Sequence, residues 1–310
     1  MAGRAELKLS DLSEDRLLEI LLADLPLGRN VLVGPGDDCA VVQGLGKRSM
    51  LLLKTDCILE GVHYLPEDEP RRVGWKALCR PVSDVAAMGG EPLHALVTVF
   101  SPKDRLVAYW KSLYKGLSKA AKHFGIGIVG GETSRSHYAG ISVSLVGRVE
   151  TRRLIQRSGG QPKDLLFVTG TLGGSRGKRH LDFVPRVVEA RWLSSHRYVH
   201  AMMDLSDGLA ADLPRLARAS KCSFRIDPSA LPKTRGCNNL QAMSDGEDYE
   251  LLVAVAPRLG ERLRRRWRET FPSLPLTCIG ELTAPSATST DLPPAFDHFF
   301  GRQKLPAGTS

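Results

Sequence analysis

The chain has 310 residues, 42% hydrophobic and 25% charged, the make-up of a soluble globular protein with room for two domains. Its apolar runs, such as 50–53 and 95–99, are far shorter than the roughly 20 residues a bilayer demands, and its charged N-terminus lacks a signal-peptide core; these features predict a cytoplasmic protein with no membrane partner. A net charge of +9 admits nucleic acid, but the densest basic stretch, 258–268, carries Leu259 and Leu263 at helical spacing. It reads as the solvated face of an amphipathic helix, so no nucleic-acid partner is expected.

Residues 14–23 place leucine and isoleucine at helical spacing and predict an opening helix. Short strands follow at 31–33 and 39–42, around a glycine turn, and 50–54 is a strand ending on Thr55-Asp56. The spacing predicts a helix over 72–88, which Pro81 must kink or interrupt. A strand at 93–100 precedes a long amphipathic helix, 103–124, with Leu106, Tyr109, Trp110, Leu113 and Leu117 on one face. Strands at 126–129 and 141–149 flank an expected loop, 130–140.

Residues 151–163 combine Arg-Arg, Gly-Gly and a proline, a connector composition that divides the chain into 1–150 and 151–310. The second half restarts with a strand at 165–169, a glycine turn at 170–174 and a helix at 185–193, with Pro185 in its first turn. Then come a strand at 201–204, a helix at 209–219, strands at 223–226 and 249–255, the basic helix 258–271 and a last strand at 276–279. Residues 283–294, rich in Pro, Ser and Thr, read as loop. Strands and helices alternate in both halves, which predicts two α/β (α+β) domains. The six cysteines are scattered, with no C-x-x-C and no zinc spacing, as in a reducing compartment.

Chemistry gathers where the apolar segments end. Gly36-Asp37-Asp38, Thr55-Asp56, Ser83-Asp84, Gly131-Glu132-Thr133, Asp204-Leu205-Ser206-Asp207 and Gly246-Glu247-Asp248 are all acidic. Each alone is an ordinary turn or helix cap. Six together, at the segment ends where α/β proteins bind ligands, would repel one another unless multivalent cations intervened. Oxygen donors without cysteine select magnesium over zinc, and magnesium completes its shell with water and substrate phosphates. There is no Walker P-loop, no protein-kinase catalytic set and no G-x-S-x-G. The glycine-rich 170–175 reads more often as a plain βα turn than as a phosphate loop.

Taken in order, these motifs resemble the thiamine-monophosphate kinase family of the aminoimidazole ribonucleotide synthetase-like superfamily. The resemblance runs from about Gly34 to Phe299. It is carried by Gly36-Asp37-Asp38-Cys39-Ala40, Thr55-Asp56 with Glu60-Gly61-Val62-His63, Lys76-Ala77-Leu78 running to Ser83-Asp84-Val85-Ala86-Ala87-Met88-Gly89, Gly130-Gly131-Glu132-Thr133, Arg157-Ser158-Gly159, Val168-Thr169-Gly170-Thr171-Leu172-Gly173, Asp204-Leu205-Ser206-Asp207-Gly208-Leu209, Gly246-Glu247-Asp248-Tyr249-Glu250-Leu251 and Phe296-Asp297-His298-Phe299.

The resemblance implies transfer of the ATP γ-phosphoryl group to thiamine monophosphate, with several Mg²⁺ ions. It implies a homodimer in which the N-terminal domain forms a barrel-like sheet with its partner, and a C-terminal α/β domain that completes the site. By position it implies metal ligation by Asp38, Thr55, Asp56, Asp84, Glu132, Asp204 and Asp207. It further implies ATP contacts from Tyr114, Gly131, Arg157 and Ser206, and thiamine phosphate contacts from His63, Glu247 and Phe296. On the residues alone, His63 also fits a loop histidine and Phe296 a packed C-terminal anchor. An acceptor that is already an anionic phosphate needs no general base, and none is assigned.

The sequence departs from the family pattern at four places. Glu132 stands for the usual Asp, Lys54 for a small hydroxyl residue, Pro81 for Asn and Asp245 for Gly. Lys54 either stands in for a cation, touches a phosphate or points to solvent. The alternatives left open are a sister enzyme of the same superfamily acting on another small phosphate or carboxylate, and a non-catalytic nucleotide- or nucleic-acid-binding protein.

Overall fold

The computed structural model describes residues 8–294 except 45, 47 and 178. Two open sheets carry the fold. The first has six strands in the order β1 (Val31–Val33), β2 (Ala40–Gln43), β3 (Ser49–Leu59), β6 (Gly140–Glu150), β4 (Glu91–Ser101), β5 (Gly127–Arg135). Its pairings are antiparallel except β4 with β5, which run parallel. A parallel pair needs a crossover, and α3 (Val107–Phe124) supplies it. The second sheet has five antiparallel strands, ordered β8 (Val199–Asp204), β10 (Leu251–Val255), β7 (Leu165–Thr169), β11 (Leu276–Thr283), β9 (Ser223–Ile226). Around it lie α4 (Val187–Leu193), α5 (Leu209–Ala219), α6 (Asn239–Ser244) and α7 (Gly260–Thr270).

The expected opening helix is α1 (Glu14–Leu22), and a second helix joins the two halves. α2 (Pro70–Ala87) buries Val73, Leu78, Cys79, Val82 and Val85 in the core of the first sheet. Its last residues, Ala86 and Ala87, belong instead to a core with Phe167, Leu193, Met202 and Leu251 of the second half. Its proline does not interrupt it: α2 is continuous through buried Pro81. The ring removes one backbone hydrogen bond, and packing on both cores holds the helix together across the gap. α2 also lies against α3 at backbone distance. A Cβ on Gly74 would sit 2.0 Å from the Leu113 carbonyl oxygen, and one on Gly116 would sit 1.8 Å from that of Arg71.

Three other expectations change. Thr55 and Asp56 lie inside β3, which runs on to Leu59, and not at its end; pairing with β6 continues along the whole strand. The expected loop 130–140 is strand as far as Arg135, because β4 supplies a parallel ladder. The short α6, which hydrophobic periodicity does not announce, carries a capping box between Asn238 and Gln241. In α7, Leu263 and Trp267 are buried while Arg262, Arg265, Arg266 and Arg268 are exposed. All six cysteines are free. No helix among the described residues is long and apolar enough to cross a membrane.

Candidate active site

The strand alternation of β3 sorts its side chains. Leu52, Lys54, Asp56 and Ile58 turn to the face covered by α2, whereas Leu53, Thr55, Cys57 and Leu59 are exposed on the other. α2 answers with a polar stripe of its own. Lys76, Arg80, Ser83 and Asp84 recur at helical spacing, so one face of a buried helix carries charge.

Three carboxylates from three elements converge here. Asp38 precedes β2, Asp84 lies in the last turn of α2 and Asp204 ends β8. Each offers an oxygen within 4.8 Å of the others, and all three are buried. Asp38 accepts from the Arg157 guanidinium at 2.6 Å, Asp84 from Lys54 Nζ at 2.6 Å, and Asp204 from the Ser83 hydroxyl at 2.6 Å. Asp56 stands beside them, 3.5 Å from the Arg80 guanidinium and 3.8 Å from Lys54 Nζ. Burial pushes Asp204 up to about 7, with Asp38 adding repulsion. Burial also lifts Asp84 well above the carboxylate range, against the pull of Lys54. Asp37 rises to about 6, through burial and then Asp38.

This donor set fits a hard divalent cation. Its atoms are all oxygens. Asp38 Oδ2 and Asp56 Oδ2 are buried with no hydrogen-bond partner, and an unsatisfied buried carboxylate oxygen is costly unless a cation meets it. Asp38, Asp84 and Asp204, with Asp56 adjacent, are the residues that would hold the ion.

A second group adjoins the first. Lys76, fully buried, donates from Nζ to the His63 carbonyl at 2.6 Å and to both Glu247 oxygens at 2.7 and 2.8 Å, and lies 2.7 Å from His180 Nδ1. Glu247 is drawn well below the usual carboxylate range: burial opposes the shift, and Lys76 and His180 outweigh it. The Glu247 loop is pinned to the Asp204 loop. Glu247 N donates to the Ser206 carbonyl at 2.6 Å and Tyr249 N to that of Leu205 at 2.8 Å. Glu247 and Tyr249 hold left-handed backbones (φ 54° and 52°), conformations that persist only when surroundings impose them. Tyr249 stacks on Phe183 with ring centroids 3.8 Å apart.

The expected site residues therefore divide. Asp38, Asp56, Asp84, Asp204 and Arg157 come together. His63 and Glu247 meet through Lys76, and Ser206 binds the Glu247 loop by its carbonyl. Asp207 is held by Arg215, which also reaches Asp212 at 3.0 Å. Thr55 faces the exposed side of the first sheet, 3.3 Å from the Ser144 hydroxyl. Gly131 and Glu132 lie on edge strand β5, where exposed Glu132 accepts from the Thr133 amide at 2.8 Å. Tyr114 is on α3, 40% exposed. No hydrogen bond or ion pair among the described residues joins these last four to the carboxylate cluster. Phe296 lies outside the described residues. The glycine turn does not present free amides throughout: Gly173 N donates to Asp248 and Gly174 N to Asp245, each at 2.9 Å.

Sequence reasoning gave no role to Lys76, Arg80 or His180. For the first two the signal was present: charges four apart inside Val73-Gly74-Trp75-Lys76-Ala77-Leu78-Cys79-Arg80, a stretch too apolar to be a solvated face. His180 lies in a segment with no such pattern.

Comparison with known proteins agrees across both halves. The family model "AIR synthase related protein, N-terminal domain" matches residues 36–149, and "AIR synthase related protein, C-terminal domain" matches 161–289. The thiamine-monophosphate kinase of Aquifex aeolicus is 36% identical over 277 residues, covering 80% of this chain and 85% of its own. That of Rhodopirellula baltica is 37% identical over 272 residues, covering 81% and 84%. The solved structure "AaThiL complexed with AMPPCP and TMP" superposes with a TM-score of 0.82 at 32% identity, covering 96% of this chain and 100% of that one.

Proposed function

The chain belongs to the thiamine-monophosphate kinase family of AIR synthase related proteins, and from that premise we propose that it transfers the γ-phosphoryl group of ATP to thiamine monophosphate, giving ADP and thiamine diphosphate. The observation that carries this reading is the convergence of Asp38, Asp84 and Asp204 beside Arg157, in a chain whose similar solved structure holds AMPPCP together with TMP.

Phosphoryl transfer needs positioning and charge neutralisation more than covalent chemistry. Asp38, Asp56, Asp84 and Asp204 would hold magnesium, which would supply neutralisation of the phosphate oxygens. The protein's own groups do the rest. Arg157, anchored on Asp38, offers a forked donor to phosphate. Ser206 and Asp207 lie on the loop that the Glu247 segment pins, so the nucleotide and acceptor sides of the cleft are braced together. Lys76 fixes Glu247 and His63 in one place, which sets where the acceptor binds. The acceptor phosphate is already an anion and gives up no proton to a side chain.

Asp207, Thr55, Glu132, Gly131 and Tyr114 belong to the proposed nucleotide and metal set, and Phe296 to the acceptor site, by motif position. Residues 1–150 are the proposed metal, nucleotide and dimer domain, and 151–310 the domain that closes the site. A homodimer with a shared barrel-like sheet is supported by the open first sheet, whose outer face exposes Leu53, Leu96 and Val129. The proposed setting is the cytoplasm, where ATP and free thiols coexist.

The test is direct. Purified protein with ATP, Mg²⁺ and thiamine monophosphate yields thiamine diphosphate by chromatography. Absence of that product, with the protein folded and nucleotide bound, rejects the assignment.

A further inference from the structure

Lys54 is the basic group that stands between two of the site's carboxylates, Asp84 and Asp56. Its side chain rises from the covered face of β3, between Leu52 and Asp56. Its Nζ lies 2.6 Å from Asp84 Oδ1 and 3.8 Å from Asp56 Oδ2. Arg157 and Arg80 each meet a different carboxylate, Asp38 and Asp56. Lys54 alone among the described residues forms an ion pair with Asp84, and it reaches Asp56 as well; Asp84, like the Asp38 that Arg157 holds, belongs to the three-carboxylate group.

We propose that the Lys54 ammonium is a built-in cation of this cluster, occupying ground a divalent ion would otherwise take, so that the chain binds one divalent ion fewer than its carboxylates would allow. The inference rests on the metal-site reading given above. An ammonium sits about 2.7–2.9 Å from a carboxylate oxygen, whereas magnesium binds the same oxygen at about 2.0–2.1 Å. Two cations cannot share that side of Asp84 Oδ1. The lysine has the advantage of tethering: it arrives without loss of translational freedom and is present at any metal concentration. Asp84 and Asp56 lie 2.6 and 3.8 Å from Nζ, and this pairing with two carboxylates is the placement of a cation. Contact with a phosphate is the competing role, and it would require Nζ to leave Asp84.

The two roles separate in a count of bound metal. Full-length protein is saturated with ADP and titrated with Mn²⁺, and bound Mn²⁺ per chain is read by electron paramagnetic resonance. Lys54→Ser and Lys54→Met, the second keeping the packing of the stem, are each expected to bind one Mn²⁺ more than the parent. Lys54→Arg, which keeps the charge, is expected to match the parent. The melting temperature of both neutral variants, lower than the parent's in chelator, is expected to recover with Mn²⁺. An unchanged count in a folded neutral variant overturns the inference while leaving the metal site standing. Failure of the parent and the variants alike to bind Mn²⁺ overturns both.

Discussion

Lys76 of α2 and Glu247 of the loop before β10 form an ion pair that ties the two halves of the molecule, with Nζ 2.7 and 2.8 Å from the two carboxylate oxygens. The lysine is fully buried and the glutamate side chain 28% exposed. Removing one partner of such a pair strands the other charge, at a cost of about 3–5 kcal/mol when the pair is fully buried. Because water reaches Glu247, about 2–3 kcal/mol is expected here.

Lys76→Met therefore lowers the unfolding free energy by that amount and raises the KM for thiamine monophosphate more than that for ATP. Urea unfolding and steady-state kinetics check both. A variant with parental stability and parental KM values would remove the pair from both roles.

The α2–α3 crossing yields a prediction from shape alone. Gly116→Ala sets a methyl 1.8 Å from the Arg71 carbonyl oxygen, so the helices must separate. The expected loss is about 2 kcal/mol or more. Gly125→Ala is the contrast: at φ 69° and with open space around it, it strains only its own backbone, costing about 1 kcal/mol. Differential scanning calorimetry of the two variants orders them.

Much of this architecture is legible in the sequence, and the exceptions have causes. α5 stands at the residues that amphipathicity marks out, and β9 at the strand expected over 223–226. β5 does not, because Gly130-Gly131-Glu132-Thr133 has loop composition and becomes strand through pairing with β4, a partner distant in sequence. Local pattern does not contain that partner. The convergence of Asp38, Asp84 and Asp204 was foreseen only as a set of acidic segment ends. Which acids meet is decided by tertiary placement: Asp38 and Asp204 lie 166 positions apart in the chain and come within 4.8 Å of one another where α2 spans both cores. Thr55, next to Asp56, is turned away by nothing more than strand alternation.

Asp248 gives a pH dependence with a definite sign. Burial raises its pKa to about 7, against the Gly173 amide that favours the anion. The unfolded carboxyl ionises near 3.8, so between about pH 4 and 7 the folded state holds a proton that the unfolded state has lost. Its contribution to stability is full below pH 4 and falls as pH rises to 7, by about 2–4 kcal/mol. Asp248→Asn still accepts from Gly173 and does not titrate. Melting curves from pH 4.5 to 8 are expected to fall less steeply for the variant than for the parent; parallel slopes would show that Asp248 does not titrate in this range.

Asp204 differs from its two companions in forming no ion pair among the described residues. Among the described residues, Asp38 is met by Arg157 and Asp84 by Lys54, whereas Asp204 accepts only the Ser83 hydroxyl. Substituting Asp84 would orphan Lys54, so it confounds a metal effect with a broken ion pair. Asp204→Asn avoids this. It keeps the bond from Ser83, removes a negative charge beside Asp38 and leaves no lysine or arginine without its partner. In chelator the variant is expected to match the parent in melting temperature or exceed it by a few degrees, since repulsion at neutral pH is relieved. With Mg²⁺ and ADP the order reverses, because the parent gains binding energy that the variant cannot. Turnover falls at least 100-fold, as one ligand of the neutralising ion is lost. Thermal shifts with and without metal, together with the product assay, read all three effects. A variant that is destabilised in chelator, yet still responds to Mg²⁺ as the parent does, would show that Asp204 supports the fold and not the ion.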